Sequence, residues 1–271
     1  MSKLAFIGAG NMCRAIVHGL INTGYQADAI VVTNPSAEKR LAMAATFGVQ
    51  QTDDNLDAVR ASEVIFLCVK PHLITQVCQE IASHIDISNK CFISVAAGTT
   101  VAQMSAVLGE QSAIIRAMPN TPSQLGLGVS GLFANSQVTA QQKVLAEQLM
   151  RAVGMVLWLE NEAKIDDIIC VSGSGPAYFF LFMEAMEQFA LSRGFSATES
   201  RKLVEQTALG AAQMVINNEI PISQLRANVT SKGGTTNAAI TTFIDGGLSQ
   251  LVTKSMNAAL QRAKDMAQTD H

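Results

Sequence analysis

The hydrophobic pattern of this chain changes period once, near residue 162, and that change restricts the folds open to it. Before it, short runs rich in Val, Ile and Phe alternate with stretches of helical period: Leu4 to Ile7, Ala29 to Thr33, Val64 to Val69, Cys91 to Val95 and Ile114 to Met118. These runs are apolar throughout rather than at every second residue, which suits parallel strands covered by helices on both faces. The pattern predicts an α/β fold with a doubly wound, Rossmann-like domain over residues 1–162. Leu127 to Phe133 and Met155 to Leu159 are expected to add strands at one edge, with a helix from about Thr139 to Val153 between them.

From residue 163 to 271 the strand signal stops and the period becomes helical, which predicts an all-helical second domain. A helix from about Pro176 to Leu191 is apolar nearly all round and is expected to be buried on several sides. Ser196 with Glu199 three residues on is a capping-box signature for the next helix, which carries Leu203, Thr207, Ala211 and Met214 on one face and ends at Asn217, Asn218 and Pro221. A last helix from about Gly247 puts Leu248, Leu251, Met256, Ala259, Leu260 and Ala263 on one stripe. So much apolar helix in so few residues would be covered best by a second copy, so a homodimer through this half is expected.

Composition closes off several function classes. The 271 residues are 48% hydrophobic and 15% charged, which excludes a disordered chain. Nineteen Lys and Arg against 22 Asp and Glu give a net charge of −3, so no nucleic-acid partner is expected. The five cysteines form no CxxC pair and have no His at zinc spacing, so no metal site is expected; their odd number suggests free thiols and a cytoplasmic location. No secretory leader is expected, and Ala177 to Met183 is far shorter than the roughly 20 apolar residues of a bilayer span, so no membrane segment is expected either.

The first apolar run passes straight into Gly8-Ala9-Gly10-Asn11-Met12 and a helix. That is the context of a dinucleotide fingerprint: a tight turn, close backbone approach and a helix N-terminus aimed at a pyrophosphate. Cys13 stands where the third glycine of the fingerprint would be. The second run ends in Thr33-Asn34-Pro35-Ser36, without the acid that usually holds a free ribose 2′-hydroxyl, and Lys39 and Arg40 follow. This favours a 2′-phosphate, hence NADPH over NADH as cofactor, with NADH left open; a surface turn opening a helix would account for Lys39 and Arg40 equally well.

Two further strand ends, Lys70-Pro71-His72 and Ala96-Ala97-Gly98, lie where ligands bind in open α/β sheets. Lys70 could reach a ribose or phosphate or be a solvated strand-end cation, while His72 has no visible partner. Arg116-Ala117-Met118-Pro119-Asn120-Thr121-Pro122 would form a proline-stiffened turn able to wall a nicotinamide. In the helical half, Ser172 to Tyr178 and Thr230 to Thr236 read as glycine-rich breaks that each lead into a helix and free backbone amides for a carboxylate or phosphate. The second is the better anion site, since Thr235 and Thr236 add hydroxyls, although both could be simple caps. The absence of HExxH and GxSxG motifs leaves hydrolytic chemistry without support and reduction by a nicotinamide as the reading.

Taken in order, IGAGNM at 7–12, VKP at 69–71, AAG at 96–98, RAMPNTP at 116–122, SGSGPAY at 172–178 and NVTSKGGTTNAAI at 228–240 resemble the pyrroline-5-carboxylate reductases along the whole chain. The resemblance implies an NAD(P)H-dependent oxidoreductase that reduces the C=N bond of a cyclic imine carboxylate, 1-pyrroline-5-carboxylate, to L-proline in the last step of proline biosynthesis. It implies a helical domain that interlocks with its twin, with dimers in some members assembling into decamers. By match to the family motifs, Gly8, Gly10, Asn11, Met12, Asn34, Ser36, Asn55, Val69, Lys70, Pro71, Ala96 and Ala97 would meet the cofactor, and Asn228 would reach it from the helical domain of the partner chain. The substrate carboxylate would sit on Ser231, Gly233, Gly234 and Thr235, with Thr236 near the ring nitrogen as the catalytic candidate. Lys232, Ile244 and Cys170 depart from the commonest family residues.

Two other readings compete. One is a β-hydroxyacid dehydrogenase or a broader imine reductase of the same shape; the hydroxyacid enzymes place a catalytic Lys on a helix after the domain boundary, where the one candidate, Lys164, lies among Glu160, Glu162, Asp166 and Asp167 and reads as solvated. A catalytically silent dinucleotide sensor would have no need of the Ser231 to Thr236 turn.

Overall fold

The computed structural model describes residues 1–269, with side chains through Asp265. The chain forms two compact units, one of Met1–Ser174 joined by the segment from Ala259 onward, the other of Gly175–Ala258.

The first unit is built on eight strands: β1 (Leu4–Ile7), β2 (Ile30–Thr33), β3 (Gln50–Thr52), β4 (Val64–Leu67), β5 (Cys91–Ser94), β6 (Ala113–Met118), β7 (Gly128–Ala134) and β8 (Gly154–Trp158). They lie in the order β3-β2-β1-β4-β5-β6-β7-β8. All neighbours are parallel except β6 and β7. The chain runs from β1 outward through β2 to β3, then returns to lay β4 on the other side of β1, so strand order reverses between β1 and β4. Ligands of such sheets bind at that reversal, beyond the carboxyl ends of the strands.

Connecting these strands are α1 (Asn11–Asn22), α2 (Ala37–Phe47), α3 (Asn55–Arg60), α4 (Pro71–His84), α5 (Val101–Leu108) and α6 (Ala140–Arg151). Successive strand side chains point to opposite faces, and both faces are covered. Leu4, Phe6, Val32, Phe66 and Ile93 join one core with Ile16, Leu20 and Met150, while Ala5, Ile7, Ile65, Leu67 and Phe92 join a second core with Val59, Ile74 and Ile81. Phe6 and Phe66 stack across β1 and β4 at 4.4 Å. Each such side chain is worth about 1.5–3 kcal/mol of burial, which is why the central runs are apolar at every residue.

The expected strands are all present, within a residue or two at their ends. Strand β3 had no counterpart in the sequence reading, because Gln-Gln-Thr carries no apolar residue. It is an edge strand paired only with β2, through Val31–Thr33, and needs no buried face. Helix α6 starts where its capping signature places it: Thr139 Oγ1 accepts from the Gln142 amide at 3.2 Å.

Beyond β8, α7 (Lys164–Ile168) continues into a wider helical turn over Ile169–Gly173. The Ser174 amide donates back to the Ile169 carbonyl at 2.8 Å. The reading of Ser172 to Tyr178 as a break is thereby narrowed: the wider turn runs through Ser172 and Gly173, the Ser174 amide is used, and α8 resumes at Gly175. The same finding corrects the expectation that no segment is long enough to span a bilayer. The helical run Lys164–Ser192 has 29 residues and a mean hydropathy of 1.4 over its most apolar window, enough by length and composition alone.

The second unit contains α8 (Gly175–Ser192), α9 (Ala197–Ile216), α10 (Ile222–Asn228), α11 (Thr235–Asp245) and the first half of α12 (Leu248–Thr269). Helix α9 begins at the expected capping box, with Ser196 Oγ accepting from the Glu199 amide and Glu199 Oε2 from the Ser196 amide. Val204 and Ser200 are its buried positions. Phe182 of α8 meets Phe243 of α11 at 5.8 Å. The burial expected for α8 on several sides is not provided by this chain: Phe179, Phe180, Leu181 and Phe189 are between 63% and 68% exposed. Leu251 and Val252 on α12 are likewise open. Nothing within a unit of this size supplies a second helical layer to cover them.

Candidate functional site

The glycine turn sits between the ends of β1 and β4. Gly8 has φ of +103°, and a Cβ on it would meet the Cys68 carbonyl carbon and oxygen at 2.9 Å and Val69 Cγ1 at 3.1 Å. Only glycine satisfies both the backbone angle and the space. The Gly8 amide donates to the Thr33 carbonyl at 3.0 Å, which joins the turn to the end of β2. Gly10 precedes α1 in extended conformation, has no side chain to cap the helix and faces open space beyond Cys68 O at 4.0 Å. Among the described residues, the amides of Asn11 and Met12 have no acceptor. A helix N-terminus left bare in this way is a receptor for an anion.

Cys13, in the place of the third glycine, is fully buried where α1 meets the sheet. Burial, followed by the adjacent Cys68 thiol, pushes its own thiol well above the ordinary range, so it is a neutral packing group.

At the end of β2, Asn34 ties two loops together. Its Oδ1 accepts from the Ala9 amide at 3.2 Å and its Nδ2 donates to the Ser36 carbonyl at 3.4 Å. Ser36 precedes α2, is exposed and makes no capping bond with its side chain. Arg40 is turned inward. Its guanidinium donates to the Asn34 carbonyl at 3.2 Å, to Gln51 Oε1 at 2.8 Å and to Asp53 Oδ2 at 3.2 Å, and its side chain is only 14% exposed. Lys39 and Arg40, adjacent and alike in charge, differ in the structure: Lys39 is exposed, whereas Arg40 braces the β2 and β3 ends. Asp53, its partner, lies just past β3, the strand that carried no apolar signal.

Asn55 opens α3 and accepts from Thr33 Oγ1 at 2.6 Å. Val69, Lys70 and Pro71 lead from β4 into α4, where Lys70 is the exposed residue before the helix and Pro71 occupies its first position. His72 follows on the exposed side of that first turn. Ala96 and Ala97 lead from β5 toward α5. Gly8, Gly10, Asn11, Met12, Asn34, Ser36, Asn55, Val69, Lys70, Pro71, Ala96 and Ala97 therefore lie at the carboxyl ends of β1, β2, β4 and β5, around the reversal of strand order. The donor set is mainly amides and hydroxyls with no acid at the β2 terminus, which fits a phosphorylated dinucleotide.

The proline-stiffened turn after β6 is a structural joint. Asn120 is buried, accepts from the Val129 amide at 2.8 Å and donates to the Ser172 carbonyl at 2.9 Å. The following tight turn, Thr121–Leu125, packs against α1.

In the second unit, the Thr230–Thr236 segment joins α10 to α11. Thr230 Oγ1 closes α10 by donating to the Arg226 carbonyl at 2.7 Å. Gly233 has φ of +75°, the Gly234 amide donates to the Ser231 carbonyl at 3.0 Å, and Gly234 then precedes α11 with no side-chain cap. Ser231, Thr235 and Thr236 are exposed, and among the described residues their hydroxyls have no hydrogen-bond partner. Asn228 ends α10 seven residues before α11 and accepts from Gln224 Nε2 at 2.8 Å. Lys164, the candidate of the hydroxyacid-dehydrogenase reading, is paired with Asp167 at 2.9 Å, whose carboxylate raises its pKa.

Known proteins give this geometry a family. Residues 162–266 match the family described as pyrroline-5-carboxylate reductase dimerisation, and residues 3–98 match that described as NADP oxidoreductase, coenzyme F420-dependent. A pyrroline-5-carboxylate reductase of Vibrio alginolyticus is 50% identical over 97% of both chains. The structure of a pyrroline-5-carboxylate reductase from Coxiella burnetii superposes with a TM-score of 0.92 at 46% identity over 98% of both chains. That of Plasmodium falciparum pyrroline carboxylate reductase, with NADP bound, superposes with a TM-score of 0.87 at 27% identity over 98% of both chains. With relatives this similar over nearly its whole length, the chain belongs to the pyrroline-5-carboxylate reductase family.

Proposed function

We propose that this protein reduces 1-pyrroline-5-carboxylate to L-proline with NADPH, the final step of proline biosynthesis. The observation that carries the reading is a pair of uncapped helix N-termini, α1 behind Gly10 and α11 behind Gly234, each leaving backbone amides for an anion. The first suits the pyrophosphate of a dinucleotide and the second a small carboxylate. Residues 1–162 would hold the cofactor, and residues 163–271 the substrate and the partner subunit.

When bound, the reduced nicotinamide supplies hydride to the C=N carbon. The chain's own residues bind and orient. Gly8, Gly10, Asn11 and Met12 offer the glycine turn and its bare amides, Asn34 and Ser36 the donors for a 2′-phosphate, and Asn55, Val69, Lys70, Pro71, Ala96 and Ala97 the walls at the strand ends. Asn228 adds a contact from the helical half of a second copy. Ser231, the Gly233 and Gly234 backbone and the Thr235 hydroxyl hold the carboxylate, and Lys232 beside them adds attraction for it. Thr236 orients the ring nitrogen by hydrogen bonding; a threonine hydroxyl is too weak an acid to be the main proton source. The exposed Phe179, Phe180, Leu181 and Phe189 of α8 support a homodimer as the minimal assembly, with decamers as a further step. That same demand for a partner accounts for the apolar run Lys164–Ser192 without a membrane, in a cytoplasmic protein that does not bind nucleic acid.

Loss of NADPH absorbance on adding pyrroline-5-carboxylate to the purified protein tests the reading, run beside NADH and beside a β-hydroxyacid with NADP. Rapid consumption with proline as product is expected. An inert imine with NADPH still bound would overturn the substrate and favour a sensor, and turnover of the hydroxyacid would favour the dehydrogenase reading.

A further inference from the structure

Glu162 follows β8 by four residues and belongs to none of the motifs above. Its Oε1 accepts twice, from Arg116 Nη1 at 2.7 Å and from the backbone amide of Val101 at 2.7 Å. Arg116 lies on β6 with a side chain only 6% exposed, so its charge needs a partner inside the protein, and Glu162 is the carboxylate that reaches it. Val101 is the first residue of α5, and the loop entering that helix is Ala96–Thr100, at the carboxyl end of β5.

That loop has few other ties. Val95 is held by the Leu67 carbonyl at 3.2 Å and Ala96 reaches Ser94 Oγ at 3.4 Å. Ala97 and Gly98 form a tight turn, and among the described residues their own amides have no acceptor. Gly98 has φ of +84° with nothing within 4 Å of where a Cβ would stand. Thr100 spends both its amide and its hydroxyl on Gln103, inside the helix cap. The far end of the loop is held by the packing of Val101 on the core and by one hydrogen-bond acceptor from outside the loop and its helix, Glu162 Oε1, whose place is set by a buried guanidinium on β6.

We infer that Glu162 is a positioning residue for the cofactor: anchored by Arg116, it holds the Ala96–Gly98 loop in the shape that meets the dinucleotide. The inference rests on the NADPH reading above and adds two residues to it.

The test uses the full-length protein and three variants: Glu162→Gln, which keeps an acceptor oxygen; Glu162→Ala, which does not; and Glu162→Ala with Arg116→Met, which also removes the buried charge. In the cofactor-free state, hydrogen exchange at the Val101–Gln103 amides should accelerate in both Ala variants and stay near wild type in Glu162→Gln. NADPH affinity, read by titration without substrate, should fall about five- to tenfold in both Ala variants, the loss expected when a helix cap is removed. It should stay within about twofold in Glu162→Gln, even though that variant is less stable for want of a counter-charge to Arg116. The double variant separates positioning from folding, because its thermal stability recovers while its affinity does not. Unchanged exchange in the Ala variants would overturn the tie, and faster exchange with wild-type affinity would reduce Glu162 to a structural role and overturn the inference. If the wild-type protein failed to bind NADPH, the cofactor reading and the inference would fall together, with the exchange data still reporting the tie.

Discussion

Gly8 and Cys68 meet backbone to backbone at the centre of the sheet, with no room between them for a methyl group: a Cβ on Gly8 would stand 2.9 Å from the Cys68 carbonyl. The contact exists because β4 returns beside β1 rather than beside β3, so the exits of two strands distant in sequence share the space around the glycine turn. Gly8→Ala is expected to cost on the order of 1–3 kcal/mol from backbone strain alone, with displacement of Cys68 added to it. Gly98→Ala is the control, since φ of +84° there carries strain but no collision. Urea unfolding should rank Gly8→Ala as the more damaging, and it should also lose NADPH binding in the fraction that folds.

Asn34 offers a sharper test of cofactor choice. Aspartate in its place would keep an oxygen for the Ala9 amide, now at 3.2 Å, and would add the acid that holds a free ribose. Asn34→Asp is expected to lower kcat/KM for NADPH by on the order of tenfold while leaving NADH within about threefold, through repulsion of a 2′-phosphate. Parallel steady-state assays with both cofactors decide it; an equal loss for both would mean that Asn34 serves only the shape of the loop.

Asp166 carries a pH dependence of unusual sign. Burial raises its pKa, with Arg116 and Lys264 opposing and Asp167 and Glu162 reinforcing the shift. A carboxyl that binds its proton more tightly in the folded state makes the native protein less stable as pH rises through its two pKa values, and the penalty persists at neutral pH. Asp166→Asn is therefore expected to raise Tm at pH 7, with the gain fading as pH falls below the usual carboxylate range. Thermal melts from pH 3 to about 8 would show it, and a gain independent of pH would refute the assignment.

Phe180 is 63% exposed on α8. If a second copy covers this face, Phe180→Glu would bury a charge at the interface, and the dimer should dissociate at micromolar concentration. Light scattering coupled to size exclusion reads the mass directly; an unchanged dimer would place the interface elsewhere.

Much of the fold was legible because its determinants are local. Apolar runs such as Val64 to Leu67 must be strands buried on both faces, the glycines after Ile7 must form a tight turn, and Ser196 with Glu199 must start a helix; each signal lies within a few residues of what it specifies. The two uncapped helix starts were legible for the same reason, since Gly10 and Gly234 have no side chain with which to cap α1 and α11. What escaped depends on neighbours far along the chain. Strand β3 is a strand only because β2 offers it an edge, and its Gln-Gln-Thr says nothing of burial. Arg40 looks like a free cation until Asp53 arrives beside it, and Ser172 to Gly175 looks like a break until the wider helical turn absorbs it. Glu162 is the extreme case: an ordinary acid in a polar stretch, it gains a role because the tertiary fold brings to one oxygen a buried guanidinium 46 residues away and a helix amide 61 residues away. Local stereochemistry and hydrophobic period determined the elements and their ends, whereas the return of the chain across its own first strand decided which polar groups would meet there, because hydrogen bonds and ion pairs act only at contact distance.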